Sequence, residues 1–169
     1  MNTIKSQKSK TIKLLAIFGV CVIAIIVAYA IYRQIEDYRL QDDPKLKELK
    51  EIFSKFFNQD RYWEGKLRAL NDRDIMKETD LYRGDKSYTI NKLNVYICLK
   101  DENNEYYSLN MLIYVLAHEY SHVICESIGH TEEFHAIFAE LLVELTDAGI
   151  YDPSQPIMSN YCKHGDSLK

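Results

Sequence analysis

The stretch from Leu14 to Tyr32, LLAIFGVCVIAIIVAYAIY, is 19 residues long and carries no charge. At about 1.5 Å of rise per residue, a helix of that length covers about 28 Å, close to the roughly 30 Å hydrocarbon core of a bilayer. No water is present there to satisfy backbone polar groups, so an unbroken helix is the structure the segment must adopt. The segment has no polar face, which argues against a core helix of a water-soluble domain. Tyr29 and Tyr32 stand at one end, where amphipathic rings prefer the membrane interface. Ala28-Tyr29-Ala30 also has the form of a signal-peptide cleavage site behind a basic start, so a cleaved secretory signal is the alternative. The apolar run is longer than most signal cores and continues past that site, which favours an uncleaved anchor. Lys5, Lys8, Lys10 and Lys13 precede it and Arg33, Arg39, Lys45 and Lys47 follow it, so the positive-inside rule leans to a cytoplasmic N-terminus by a small margin.

The expected organisation is a basic tail over 1–13, a transmembrane signal-anchor helix over 14–32 in contact with lipid, a juxtamembrane linker or helix extension over 33–43, and one domain over 44–169. That domain is long enough to bury its own core. The formal charge of −4 exerts no global pull toward nucleic acid, although a local basic groove stays open. Of the four cysteines, Cys21 falls in the apolar segment, leaving Cys98, Cys125 and Cys162. No C-x-x-C pair is present, which disfavours a cysteine zinc site. One disulfide among the three fits an oxidising compartment, and three small buried hydrophobes fit equally.

Pro44 suits the first turn of a helix capped by Asp43, and Leu46, Leu49, Ile52, Phe53, Phe56 and Phe57 recur at helical spacing behind it. Periodicity fades from Asn58 to Lys92, with a turn at Gly84-Asp85. Tyr88–Ile90 and Asn94–Leu99, rich in β-branched and aromatic residues, read as short strands. Ser108 caps a helix expected from about Leu109 to Ser127 and ended by Gly129. Thr131 caps another, with Glu132 and Glu133 in its first turn and an apolar stripe from Phe134 to Leu145.

His118-Glu119-Tyr120-Ser121-His122 reads H-E-x-x-H inside the first of these two helices. Residues four apart share a helical face, so both imidazoles can grip one cation, and the glutamate beside the first can take a proton from water at that cation. Zn2+ suits the nitrogen donors and needs a third protein ligand if its fourth position is to stay open. His130, behind a glycine that lets the chain reverse, is the preferred third ligand. His135, Glu140 and Glu144 remain as alternatives.

The combination of His118-Glu119-x-x-His122 with His130-x-x-x-Phe134 resembles the WLM and SprT-like metallopeptidases. The resemblance runs from about Val95 to Leu145, and stretches such as Gly84-Asp85-Lys86-Ser87-Tyr88 are similar to membrane-anchored members of large DNA viruses. The elements read above make an α+β fold dominated by helices, with a small sheet, behind one N-terminal transmembrane helix, and the resemblance adds that this domain is zincin-like. It also implies zinc held by His118, His122 and His130, Glu119 as catalytic base, and an anchor in a viral or host membrane. The seven residues between His122 and His130 depart from the pattern, lying between the usual WLM and SprT-like spacings. Soluble members are linked to cleaving proteins crosslinked to DNA, a role that the anchor and the lack of an evident basic patch do not favour.

The function expected is therefore hydrolysis of peptide bonds in a protein or peptide substrate by a zinc-activated water, with Tyr151 and Tyr161 as downstream candidates for stabilising the oxyanion. The rival from another class is a membrane-tethered structural or binding protein whose zinc site is inactive. A fourth protein ligand would mark such a closed site.

Overall fold

Asp43 is buried although charged, because it is the point where the second helix starts. In the computed structural model, which describes the backbone of residues 2–162 and side chains from residue 17 onward, its carboxylate accepts from the N–H groups of Lys45 and Leu46. These are orphan donors of the helix α2, Pro44–Phe57. The Tyr106 hydroxyl donates to the same carboxylate. The expected cap and proline position are both found.

Before α2 lies α1, Asn2–Gln41. It runs without a break through the expected tail and anchor, and the segment after the anchor continues as helix to Gln41. From Ile17 onward it is long and apolar enough to cross a membrane. Its large apolar side chains, Ile17, Phe18, Ile23, Ile25 and Ile26 among them, stand exposed. The chain divides into two units, one ending at Arg39 and the other beginning at Leu40. Residues 163–169 of the expected domain, and the side chains of the N-terminal lysines, lie outside the described residues.

The second unit continues with a 3-10 helix (Gly65–Asn71), α3 (Ile75–Glu78), β1 (Asp80–Arg83), β2 (Tyr88–Ile90), β3 (Asn94–Ile97), α4 (Leu109–Ile124) and α5 (Glu132–Asp147). It is a helix-rich α+β arrangement, as expected. The strands pair in the order β1-β3-β2, with β1 parallel and β2 antiparallel to β3. Among the described residues, strand β2 therefore has one strand partner and a free edge. One sheet face carries the stacked ladder Tyr82–Tyr96–Tyr88, with ring centroids 5.1 and 4.7 Å apart. Leu81, Val95 and Thr89 lie in register on the other face, where β3 and β2 meet α4 and β1 meets α2.

Helix α4 is buried along nearly its whole length. Tyr120 in its centre has no exposed surface and meets Phe53 at 5.2 Å and Phe57 at 5.4 Å, so α2 covers the side of α4 away from the histidines. Phe56 and Trp63 extend this aromatic packing. Helix α4 ends at Ile124, three residues before the expected Ser127, because Cys125 adopts an extended conformation. Gly129, φ +85°, reverses the chain inside the link that follows instead of ending the helix.

Candidate metal centre and its cleft

His118 and His122 lie one helical turn apart on α4. His130, just ahead of the Thr131 cap of α5, turns back to meet them. Its Nε2 lies 3.0 Å from that of His118 and 3.2 Å from that of His122. The ring centroids form an almost equilateral triangle with sides of 5.0, 4.9 and 4.9 Å. Donors at about 2.0–2.1 Å from a tetrahedral zinc stand about 3.3 Å apart, so this spacing fits one such ion. His118 is buried, His122 half-buried and His130 exposed, so the triangle opens toward solvent on one side. Among the described residues the group of potential ligands has these three members and no fourth.

The chemistry of the donor set also fits. Burial, reinforced by the neighbouring histidines, lowers the pKa of His118 to about 3. Burial, with His130 and Lys92 nearby, lowers that of His122 to about 4. Both are neutral imidazoles at physiological pH with lone pairs available to a cation. Phe134, wholly buried, lies against all three rings at 4.9, 4.3 and 4.8 Å and stacks on His122, giving the triangle an apolar floor.

Glu119 is 3 % exposed, and burial pushes its carboxyl up to about 7 against a lowering hydrogen bond from Thr89. The Thr89 hydroxyl lies 2.8 Å from Oε2 and donates to it. Thr89 belongs to the edge strand, so β2 fixes the glutamate's orientation. The histidines, Glu119, Thr89 and Tyr88 line one cleft of about 690 Å3, together with Lys92, Ile128 and Tyr161.

The other expected candidates stand elsewhere. His135 is exposed, its ring 6.2 Å from that of His130. Glu140 accepts from the N–H of Lys66, and Glu144 pairs with Arg61 at 2.7 Å. Both acids thus bind α5 to the segment around the 3-10 helix. Tyr151 packs near Tyr114 and does not line the cleft. Tyr161 does line it, but its hydroxyl donates to the carbonyl of Cys98 at 2.5 Å. Ser87 then donates to the Tyr161 oxygen at 2.9 Å, and the N–H of Cys98 donates to Ser87. This closed ring of three hydrogen bonds makes Tyr161 a wall of the cleft. Cys98 and Cys162 form a disulfide beside it, while Cys125 is free and buried.

Two participants escape a reading of the sequence. Thr89 becomes visible only through strand parity, since Tyr88 and Ile90 face outward and Thr89 therefore faces α4. The pairing of Cys98 with Cys162 carries no local signal.

No protein-family model and no solved structure matches the chain. Three relatives are viral proteins. The chain is 46% identical over 101 residues to uncharacterized protein 136R of Invertebrate iridescent virus 6, covering 58% of this chain and 57% of that protein. It is 39% identical over 99 residues to uncharacterized protein 042R of Invertebrate iridescent virus 3, covering 58% and 62%. An uncharacterized protein of Acanthamoeba polyphaga mimivirus is 29% identical over 119 residues, covering 69% and 55%. The chain thus spans somewhat over half the length of these relatives.

Proposed function

We propose that this protein is a membrane-anchored zinc metallopeptidase of the WLM and SprT-like kind, with a zincin-like domain. The observation that carries the reading is the convergence of three histidine Nε2 atoms beside a buried glutamate in one cleft. His118, His122 and His130 hold the metal, and the side without a protein ligand faces the cleft. A zinc ion there supplies Lewis acidity, lowering the pKa of water and polarising a scissile carbonyl. Glu119 acts as general base and later returns the proton to the leaving amine. Thr89 holds Oε2, so proton transfer falls to Oε1. The free edge of β2 borders the same cleft and offers backbone pairing to an extended peptide.

Metal content is the direct test. The full-length protein in detergent should carry about one zinc per chain. His130→Ala should lose or greatly weaken binding, whereas His135→Ala should not. A folded wild-type protein that stays metal-free after zinc supplementation would sink the reading.

Helix α1 serves as a single-pass anchor, with the N-terminus in the cytoplasm and the catalytic domain on the oxidising side. The domain's disulfide supports this orientation, since such bonds persist in oxidising compartments. The lysines ahead of the anchor point the same way. In sealed microsomes the domain should resist added protease until detergent is supplied. Digestion without detergent would reverse the topology.

A further inference from the structure

The stretch 125–130 carries the third histidine, yet it has no helix or strand of its own to hold it. Ile128 within it is 92% exposed, and Gly129 takes a left-handed conformation. Cys125 is anchored in the core, but beyond it Glu126, Ile128, Gly129 and His130 are exposed, so packing does little to fix the course from Glu126 to His130. Two side chains from elsewhere grip its backbone instead. Lys92, in the turn between β2 and β3, donates through Nζ to the carbonyls of Cys125 at 2.5 Å and Glu126 at 2.8 Å. Glu133, in the first turn of α5, accepts from the N–H groups of Glu126 and Ser127, both at 3.3 Å, and from the Ser127 hydroxyl.

A cation thus holds carbonyl oxygens and an anion holds amide hydrogens along one short run of chain. Charge-assisted bonds of this kind are stronger than neutral ones and directional. Helix α4 delivers His118 and His122 without help. His130 depends on where the link leaves α4 and where it enters α5, and the two grips fall at Cys125–Ser127, between these points.

We propose that Lys92 and Glu133 are positioning residues for the third metal ligand, clamping the link so that His130 Nε2 meets His118 and His122. The inference rests on the three histidines being a metal site. Lys92 also lines the cleft, so its charge lies on the side a cation would occupy. By Coulomb repulsion alone, removing it should tighten binding of a second cation. Positioning demands the opposite sign, and this makes Lys92 the sharper probe.

The experiment measures Zn2+ affinity of the full-length protein in detergent by competition with a chromophoric chelator, alongside thermal unfolding of the metal-free form and Co2+ absorption spectra. Lys92→Met and Glu133→Gln should each weaken zinc binding by about 10- to 100-fold, the range for residues that orient ligands. The melting temperature of the metal-free protein should hardly move, and the Co2+ spectrum should lose intensity as the tetrahedral set loosens. Lys92→Arg, which keeps the donor, should recover most of the affinity. Unchanged or tighter zinc binding in Lys92→Met overturns the clamp, as does a lowered melting temperature with unchanged affinity. A wild-type protein that binds no zinc overturns the metal reading itself, and the clamp with it.

Discussion

Glu119→Gln should leave zinc bound and lower peptide hydrolysis by about a hundred- to ten-thousand-fold, the usual worth of a positioned general base. The substitution preserves shape, and the Thr89 hydroxyl can still donate to the amide oxygen. It places no unpaired charge in a site that is 3 % exposed, so the fold should be undisturbed. His122→Ala should lose both metal and turnover, which gives the two variants different signatures. The assay is cleavage of an unfolded protein such as casein, followed with zinc content on the same samples. A Glu119→Gln protein as active as wild type would refute the mechanism. Wild type that holds zinc and cleaves nothing, even with varied unfolded substrates, would favour the rival of a tethered protein with an inactive site.

The parts of this architecture that were legible in the sequence depend on local spacing. Asp43 and Pro44 announce α2, Thr131 announces α5, and residues four apart put His118 and His122 on one face of α4. The parts that were not legible depend on distant partners. Strand β1 is only four residues, Asp80–Arg83, with two adjacent buried positions and no alternation, and it exists because β3 pairs with it in parallel. Helix α4 stops at Ile124 where its own pattern continues, at the point where Lys92 takes the Cys125 and Glu126 carbonyls. Thr89 meets Glu119 across 30 residues of chain. Its place after a glycine favours His130 over His135, Glu140 and Glu144. The structure brings His130 to the other two histidines and gives both acids to the α5 interface.

The second large effect concerns the wall of the cleft. Cys98 follows β3, and Cys162 lies in a tail whose described residues after α5 form turns but no helix or strand. The bond between them spans 64 residues. Chain-entropy arguments give a loop of that size about 4 kcal/mol of stabilisation. Cys98→Ser/Cys162→Ser should therefore lower the melting temperature of the domain by roughly 10–20 °C. The effect should extend to function, because Tyr161 is adjacent and its hydroxyl is held by Cys98 and Ser87. The N–H of Cys162 also donates to the Tyr107 hydroxyl and the Tyr161 ring packs on that of Tyr107 at 4.7 Å, so this end of the tail is held by the disulfide, a few hydrogen bonds and one ring contact. Releasing it removes one side of the cleft while the three histidines, carried by α4 and the link to α5, keep their places. Below its melting temperature the double variant should accordingly keep zinc and raise KM for an extended substrate more than it lowers kcat. Loss of zinc in the still-folded variant would show that the tail supports the metal site and not the cleft alone. A melting temperature equal to wild type would refute the stabilising role given to the Cys98–Cys162 bond.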